Sequence, residues 1–153
     1  MKYLVAYYSR TGNTKTLGIV IGKALLADID EIFDTKKRVG IINWIRAGRD
    51  AQGKKLTEIQ FEKNPQDYDV IVIGSPIWGG NPTPALRTYL TMHDLKGKKI
   101  GFFIYSAIDR YAKVFHQLKE MTPESEHAGI FTASRFRRGG YEPKLNAFIE
   151  KLK

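Results

Sequence analysis

Three runs of apolar residues constrain the fold of this chain more than any other feature of its sequence. They span residues 2–8, 70–74 and 98–105, and each contains few polar side chains. Near-continuous apolar strands are typical of parallel sheets, because helices cover such sheets on both faces. Segments with helical periodicity lie between the runs, and this alternation of strand and helix predicts a doubly wound α/β domain.

The rest of the sequence completes this pattern. Shorter strands near 29–33 and 128–133 bring the predicted parallel sheet to five strands, covered by helices on both faces in a three-layer sandwich. The length fits one domain, so we expect a single domain over residues 1–153 that carries a basic insertion at about 35–58. Helices are predicted over residues 14–27, about 41–50 and about 110–121, and a terminal helix is predicted to begin at about Pro143. A further helix is predicted to begin with Thr83 as its N-cap and Pro84 as its first helical residue.

The loop after the first strand has the composition of a phosphate-binding loop. It precedes a helix, and three hydroxyls, a glycine and free N–H groups at a helix N-terminus can surround a phosphate. The sequence lacks the Gly-Lys-Ser/Thr pattern of triphosphate loops and the Gly-x-Gly-x-x-Gly pattern of dinucleotide folds. A monophosphate site is therefore predicted, the alternative being a plain N-cap, and Arg10 either contacts the phosphate or points to solvent. The loop consists of Ser9, Arg10, Thr11, Gly12, Asn13 and Thr14.

This loop matches the [Ser/Thr]-x-Thr-Gly-x-Thr pattern of the flavodoxin family, at the position that it has in that family. The chain resembles flavodoxins in the order and spacing of its elements over nearly its whole length, the basic segment excluded. The resemblance implies a flavodoxin-like fold and one non-covalently bound FMN. By the same resemblance, Ser9, Thr11, Asn13 and Thr14 would hold the 5′-phosphate of the FMN.

The loop after the strand at 70–74 contains a tryptophan in a turn rich in glycine and proline. We expect Trp78 to be poorly placed for core packing and well placed to present its face to a ligand, the alternative being a Trp folded over the domain edge. The segment resembles the flavodoxin loop that lines the isoalloxazine ring. A carbonyl of this turn would then accept a hydrogen bond from N5–H of the reduced flavin and shift its potential. The implied ring contacts are Ser75, Pro76, Ile77, Trp78, Gly79 and Gly80.

The loop after the strand at 98–105 departs from the family pattern. Flavodoxins usually carry Gly-x-Gly-Asp and then an aromatic residue here, and this chain keeps Asp109 and Tyr111 without the glycines. Backbone N–H groups from Ser106 to Asp109 would reach the pyrimidine edge of the flavin. Tyr111 either stacks on the ring or begins the next helix and packs inward. The implied contacts are Ser106, Ala107, Asp109 and Tyr111.

The formal net charge of +9 is unevenly placed. Residues 35–55 hold seven Lys or Arg and one Asp, which predicts an anionic partner or a solvated face. Three interpretations of this segment stay open: a lid over the FMN with Trp44 shielding the ring, an element for a membrane surface or a quinone, and a structural insertion that buries its isoleucines. Basic charge would stabilise an anionic reduced flavin and favour an acidic redox protein or NAD(P)H as partner. Nucleic-acid binding is not favoured, because the charges lack a matching fold element.

Other function classes are excluded by what the sequence lacks. Without cysteine there is no thiol nucleophile, disulfide or Cys-ligated metal, which fits a cytoplasmic protein, and the three histidines lack metal-ligand spacing. No apolar run approaches the roughly 18 residues of a membrane span. Ser9 and Ser75 stand where a receiver-type signalling domain would need acidic residues. Two functions remain: an electron-transfer flavoprotein, and an FMN-dependent NAD(P)H:quinone or flavin reductase.

Overall fold

The computed structural model describes residues 1–36, 55–107, 111–134 and 140–153. The helix predicted at about 41–50 and Asp109 lie outside these residues. In the described part of the chain, seven strands and four α-helices follow one another. They are β1 (Tyr3–Tyr8), α1 (Asn13–Leu25), β2 (Asp28–Asp34), β3 (Ile59–Gln60), a 3-10 helix (Pro65–Asp67), β4 (Val70–Trp78), β5 (Asn81–Pro82), α2 (Pro84–Met92), β6 (Lys99–Tyr105), α3 (Tyr111–Met121), β7 (Glu126–Ala133) and α4 (Glu142–Leu152).

The five long strands form a parallel sheet in the order β2-β1-β4-β6-β7. This arrangement confirms the predicted doubly wound parallel sheet. The strand count differs from the predicted five because β3 pairs antiparallel with β2 and β5 pairs antiparallel with β4. Both additional strands are two residues long, which is too short for an alternating pattern to indicate them.

Helices cover both faces of the sheet, so the predicted three-layer sandwich is confirmed. Successive residues of β1 point to opposite faces, as in any strand. Leu4 packs in the core beneath α2 and α3, whereas Val5 packs in the core beneath α1 and α4. Both side chains are fully buried. Burial on both faces explains why the central strands are apolar along their whole length.

The helix ends follow from local chemistry. Thr83 Oγ1 accepts the backbone N–H of Leu86 at 3.4 Å, and Pro84 is the first helical residue, which confirms the predicted start of α2. Helix α1 ends at Leu25, two residues before its predicted end, because Leu26 adopts a left-handed φ of 52°. The N–H of Ala27 then donates to the Gly22 carbonyl at 2.9 Å and closes the helix.

Strand β4 continues beyond its predicted end at residue 74. The prediction of a long loop after this strand is wrong, because the chain extends to Trp78 and turns back through Gly79 and Gly80 into β5. The two glycines have φ values of 57° and 73°, which is the backbone of a primed two-residue hairpin turn. The predicted ring-lining segment is therefore a hairpin that projects from the carboxyl end of β4.

Candidate functional site

The three predicted ligand loops meet at the carboxyl edge of the sheet. Tyr7 of β1 pairs with Gly74 of β4, and Pro76 of β4 pairs with Tyr105 of β6. The loop that begins at Ser9, the β4–β5 hairpin and the loop that begins after Tyr105 thus leave neighbouring strands at one edge. The chain reverses its strand order between β1 and β4, and open α/β sheets bind ligands at such a reversal.

Ser9 organises the loop between β1 and α1. Its Oγ accepts the backbone N–H groups of Gly12 at 3.1 Å and of Lys15 at 3.2 Å. A hydroxyl has two lone pairs and one proton, and these two bonds use the lone pairs. The proton of Ser9 therefore stays available for donation to a ligand. Gly12, with a φ of 94°, lets the chain turn into the helix at this point.

Free backbone donors surround the same loop. Among the described residues, the N–H groups of Thr11, Asn13 and Thr14 have no acceptor in the protein. A Cβ on Gly12 would meet no atom within 4 Å, so there is open space beside the loop at this residue. The side chain of Asn13 donates to Thr11 Oγ1 at 3.2 Å, and Thr14 is buried beneath the loop. Donors around open space at the positive end of a helix fit a phosphate monoester.

Two cations flank the loop. Lys15 Nζ lies 2.6 Å from Glu31 Oε2, and this hydrogen bond raises the pKa of Lys15. The guanidinium of Arg10 lies over the ring of Trp78, with 6.0 Å between Arg10 Cζ and the ring centroid, near the outer limit of cation–π contact. Arg10 therefore connects the phosphate loop with the β4–β5 hairpin.

Trp78 is part of the core. Its side chain is only 7% exposed, and its ring meets the edge of Tyr8 at a centroid distance of 5.6 Å and an interplanar angle of 85°. The expectation that Trp78 is poorly placed for core packing is wrong, because β4 continues to this residue. Its position matches the alternative of a tryptophan packed at the domain edge. Contact between its ring and a flavin stays a prediction.

Ser75 lies inside the protein, with 1% of its surface exposed. Its Oγ lies 2.9 Å from Thr83 Oγ1 and donates to the Pro76 carbonyl at 2.8 Å. Ser75 therefore connects β4 to the N-cap of α2. The sequence around Ser75 does not indicate that it connects β4 to α2, because its partner hydroxyl, on Thr83, is eight residues away.

The turn of the hairpin is fixed by two side chains that the sequence did not indicate. Asn81 Nδ2 donates to the Gly79 carbonyl at 2.9 Å, and Gln117 Nε2 of α3 donates to Asn81 Oδ1 at 3.0 Å. A Cβ on Gly80 would meet no atom within 4 Å, so the turn faces open space. Ile77, beside the turn, is half-buried. Nothing in the sequence indicates the contact between Asn81 and Gln117, because the two residues are 36 positions apart.

The loop after β6 differs from expectation at Ser106. Its N–H donates to the Ala133 carbonyl at 3.0 Å, because the pairing of β6 with β7 continues past Tyr105. This N–H is therefore engaged by β7, and contact between Ser106 and the flavin stays a prediction. Ala107 is exposed. Tyr111 is the first residue of α3, as one of the two alternatives predicted. Its side chain is 37% exposed, however, so it does not pack inward as that alternative also predicted.

Within the described ranges, no three His, Cys, Asp or Glu side chains are grouped so that they could hold a metal ion. No helix in these ranges has both the length and the apolar character needed to cross a membrane.

Comparison with known proteins relates the chain to flavin-binding folds. The sequence model of the Flavodoxin domain family matches residues 34–148, a range that begins after the loop at 9–14. No curated protein sequence matches the chain. A flavoprotein from Lactobacillus acidophilus, solved in complex with FMN, is similar to it at 25% identity and a TM-score of 0.75, over 86% of this chain and 92% of that one.

Two other solved structures are similar over almost the whole chain. A protein from Bacteroides eggerthii classed as a flavoprotein shares 25% identity, with a TM-score of 0.83 over 99% of this chain and 97% of that one. Flavodoxin 2 from Bacillus cereus shares 22% identity, with a TM-score of 0.61 over 99% of both chains. The whole-chain matches include the loop at 9–14, which the family sequence model does not reach.

Proposed function

The chain belongs to the flavodoxin family, and from that premise we propose that it binds one FMN non-covalently and transfers electrons through it to and from a redox partner. The observation that carries this proposal is the loop at 9–14. Three free backbone N–H groups and the Ser9 hydroxyl lie in this loop at the N-terminus of α1, and open space adjoins the loop at Gly12. The FMN complex of the related flavoprotein from Lactobacillus acidophilus supports the same cofactor here.

The loop residues would hold the FMN phosphate by hydrogen bonds and by the dipole of α1. The N–H groups of Thr11, Asn13 and Thr14 donate to phosphate oxygens, and Ser9 donates its remaining proton. Charge-assisted bonds of this kind are roughly twice as strong as neutral ones. The acidic side chain near the loop, Glu31, is neutralised by Lys15 at 2.6 Å, so it adds little repulsion toward a phosphate.

The β4–β5 hairpin would lie along the ring of the FMN. Its turn faces open space at Gly80, and Arg10 joins it to the phosphate loop. The bound FMN supplies the redox chemistry, in which it accepts and releases electrons. The protein binds the phosphate, orients the ring and covers it on one side with the apolar Ile77 and Trp78.

A reductase is the second candidate function. The net charge of +9, concentrated in residues 35–55, suits a phosphorylated nicotinamide as electron donor. The same charge also suits an acidic redox protein. We favour the carrier, because a carrier needs only an accessible flavin edge and partner docking, and the charge supports both functions equally.

Exposure of the FMN-loaded protein to nicotinamides tests the choice between these functions. After anaerobic mixing with excess NADPH or NADH, we expect the flavin absorbance to stay unchanged for minutes, while photoreduction of the same sample bleaches it. Rapid bleaching by either nicotinamide would show that the protein is a reductase and would end the carrier proposal.

Substitution of Ser9 by alanine tests the phosphate loop. Ser9→Ala removes the acceptor of two backbone N–H groups and one donor to the phosphate, so we expect FMN affinity to fall about tenfold. The free energy of unfolding should fall by about 1 kcal/mol, as for the loss of a helix cap. Isothermal calorimetry and urea denaturation measure the two effects.

The matched control is Ser125→Ala, which removes a hydroxyl that donates to the Leu95 carbonyl at 2.7 Å, at the opposite edge of the sheet. This control should leave FMN affinity unchanged. Equal FMN affinity in Ser9→Ala and Ser125→Ala would contradict the assignment of the phosphate loop.

A further inference from the structure

Helix α2 holds a buried arginine whose donors largely lack acceptors. Arg87 is 7% exposed, and its Nε and Nη2 atoms have no hydrogen-bond partner among the described residues. These two nitrogens carry three N–H groups, and a guanidinium does not give up its charge in a protein. Buried charges are ordinarily paired. Within the described part of the chain, Arg87 therefore lacks the acceptor that a buried cation needs.

A methionine sulfur at the end of α3 lies close to this guanidinium. Arg87 Nη1 donates to Met121 Sδ at 3.9 Å. A thioether sulfur is only a weak acceptor, so this contact compensates little of the charge. Oxidation of the sulfur to a sulfoxide would add a polar oxygen at this point. The same side chain would then offer the kind of acceptor that Arg87 lacks.

The distance between the two atoms suits a hydrogen bond to a sulfoxide oxygen. A sulfoxide S–O bond is about 1.5 Å long and an N–H···O bond spans about 2.9 Å, so an angle of about 120° at the oxygen separates sulfur and nitrogen by about 3.9 Å. The observed distance between Met121 Sδ and Arg87 Nη1 has this value, 3.9 Å. The oxygen can therefore accept from Arg87 without a change in the distance between the sulfur and the guanidinium.

Met121 is accessible to a small oxidant. Its side chain is half-buried and lines a cavity of about 100 Å³ between residues 93–96 and 121–125, at the amino edge of the sheet. The exposed residues Asp94 and Glu124 line the same cavity, so it opens to solvent. A water molecule occupies roughly 30 Å³ in the liquid. The cavity therefore has room for a molecule of hydrogen peroxide beside Met121.

We propose that Met121 is a site of reversible oxidation by peroxides and that Arg87 stabilises its oxidised form, a role that does not depend on FMN. Hydrogen peroxide transfers one oxygen atom to Sδ: the S–O bond forms, the O–O bond breaks and water leaves. The sulfur is oxidised by two electrons, and the peroxide is reduced by two. Arg87 then donates to the sulfoxide oxygen and connects α2 to α3. Reductases return methionine sulfoxide to methionine, so the modification is reversible.

The stability of the oxidised protein tests this role of Arg87. The parent protein for the test is Met92→Leu, because Met92 is 57% exposed and would also be oxidised, whereas Met1 lies at the chain end. After treatment of the folded parent with hydrogen peroxide, mass spectrometry of its peptides should show sulfoxide at Met121. The equilibrium constant of unfolding, from urea denaturation, should rise less than threefold.

With Arg87→Leu added to the parent, the same oxidation should raise the unfolding constant at least tenfold. A sulfoxide disturbs apolar packing, and a hydrogen bond from a charged donor is worth about tenfold or more in an equilibrium constant. The control is Met121→Leu in the parent, which has no sulfur at this position. Peroxide should leave the unfolding constant of this control unchanged.

A second variant imitates the sulfoxide without an oxidant. Met121→Gln places an amide oxygen near Arg87, and the unfolding constant should stay within threefold of that of the parent. In the Arg87→Leu background, the same substitution should raise the constant at least tenfold, because the amide then lacks its charged donor.

Two results would overturn the proposal. One is the absence of sulfoxide at Met121 after peroxide treatment of the folded parent. The other is a rise of the unfolding constant on oxidation that differs less than threefold between the parent and its Arg87→Leu variant. If Arg87→Leu does not fold, Met121→Gln decides alone: a constant within threefold of the parent supports the proposal, and a larger rise overturns it.

Discussion

Replacing Gly12 by aspartate is expected to abolish FMN binding while the protein still folds. Gly12 has a φ of 94° and open space at the position of a Cβ, so a side chain fits sterically at a backbone cost of roughly 1–2 kcal/mol. Its carboxylate would stand beside the phosphate. Repulsion between such charges at close range is worth about 3 kcal/mol, or at least about a hundredfold in Kd. A fluorescence titration with FMN measures the loss.

Gly97→Asp is a matched control for this substitution. Gly97 also has a positive φ, 70°, and open space at its Cβ position, and it lies in the turn before β6, at the opposite edge of the sheet. The two variants introduce the same charge and similar backbone strain. Equal FMN affinity in both would show that the phosphate does not bind at the loop between β1 and α1.

Replacing Gly74 by alanine is expected to destabilise the fold by about 3 kcal/mol. A Cβ on Gly74 would clash with the ring of Phe103, a residue of β6 that is fully buried in the core beneath α1 and α4. Neither the central strand nor the ring can move freely, and overpacking of a dense core typically costs 1–3 kcal/mol, occasionally more. Urea denaturation should show a lower midpoint.

A second substitution separates this clash from a general effect of alanine in a strand. Phe103→Leu shortens the side chain that Gly74→Ala would meet, so the double variant should lose less stability than the sum of the single variants. Additive losses would contradict the close packing of Gly74 against Phe103.

Much of the fold could be predicted because its determinants are local. The apolar runs of β1, β4 and β6 reflect burial on both faces, and Thr83 with Pro84 gives an unambiguous helix start. The carboxyl ends of parallel strands share one edge, so placing the three loops together needed only the strand order. These features need no knowledge of distant contacts.

The features that the sequence did not reveal depend on contacts between distant residues. Ser75 meets Thr83, and Gln117 meets Asn81, 36 residues away. Arg87 is a further example: the guanidinium is buried, its Nε and Nη2 have no acceptor among the described residues, and burial lowers its pKa. An arginine on an amphipathic helix ordinarily predicts an exposed side chain, so the burial of Arg87 beside Met121 of α3 is seen only in the structure.

The extension of β4 to Trp78 is a feature of the candidate site that the sequence likewise did not reveal. Two prolines beside glycines in residues 75–82 are typical of an irregular loop, yet Pro76 and Pro82 lie in paired strands. Pro82 is tolerated because β5 is a short strand that, within the part of the chain the structure describes, pairs with β4 alone. This hairpin brings Trp78 into the core against Tyr8, which the composition of the segment did not indicate.

Titration of the purified apoprotein with FMN and with riboflavin is the most direct test of the phosphate site. Flavin fluorescence should be quenched with saturation at one FMN per chain. Riboflavin, which lacks the phosphate, should bind at least about tenfold more weakly, since the donors at the loop between β1 and α1 have no partner in it. The absence of saturable FMN binding, or equal affinity for the two flavins, would contradict the phosphate site on which the proposed function rests.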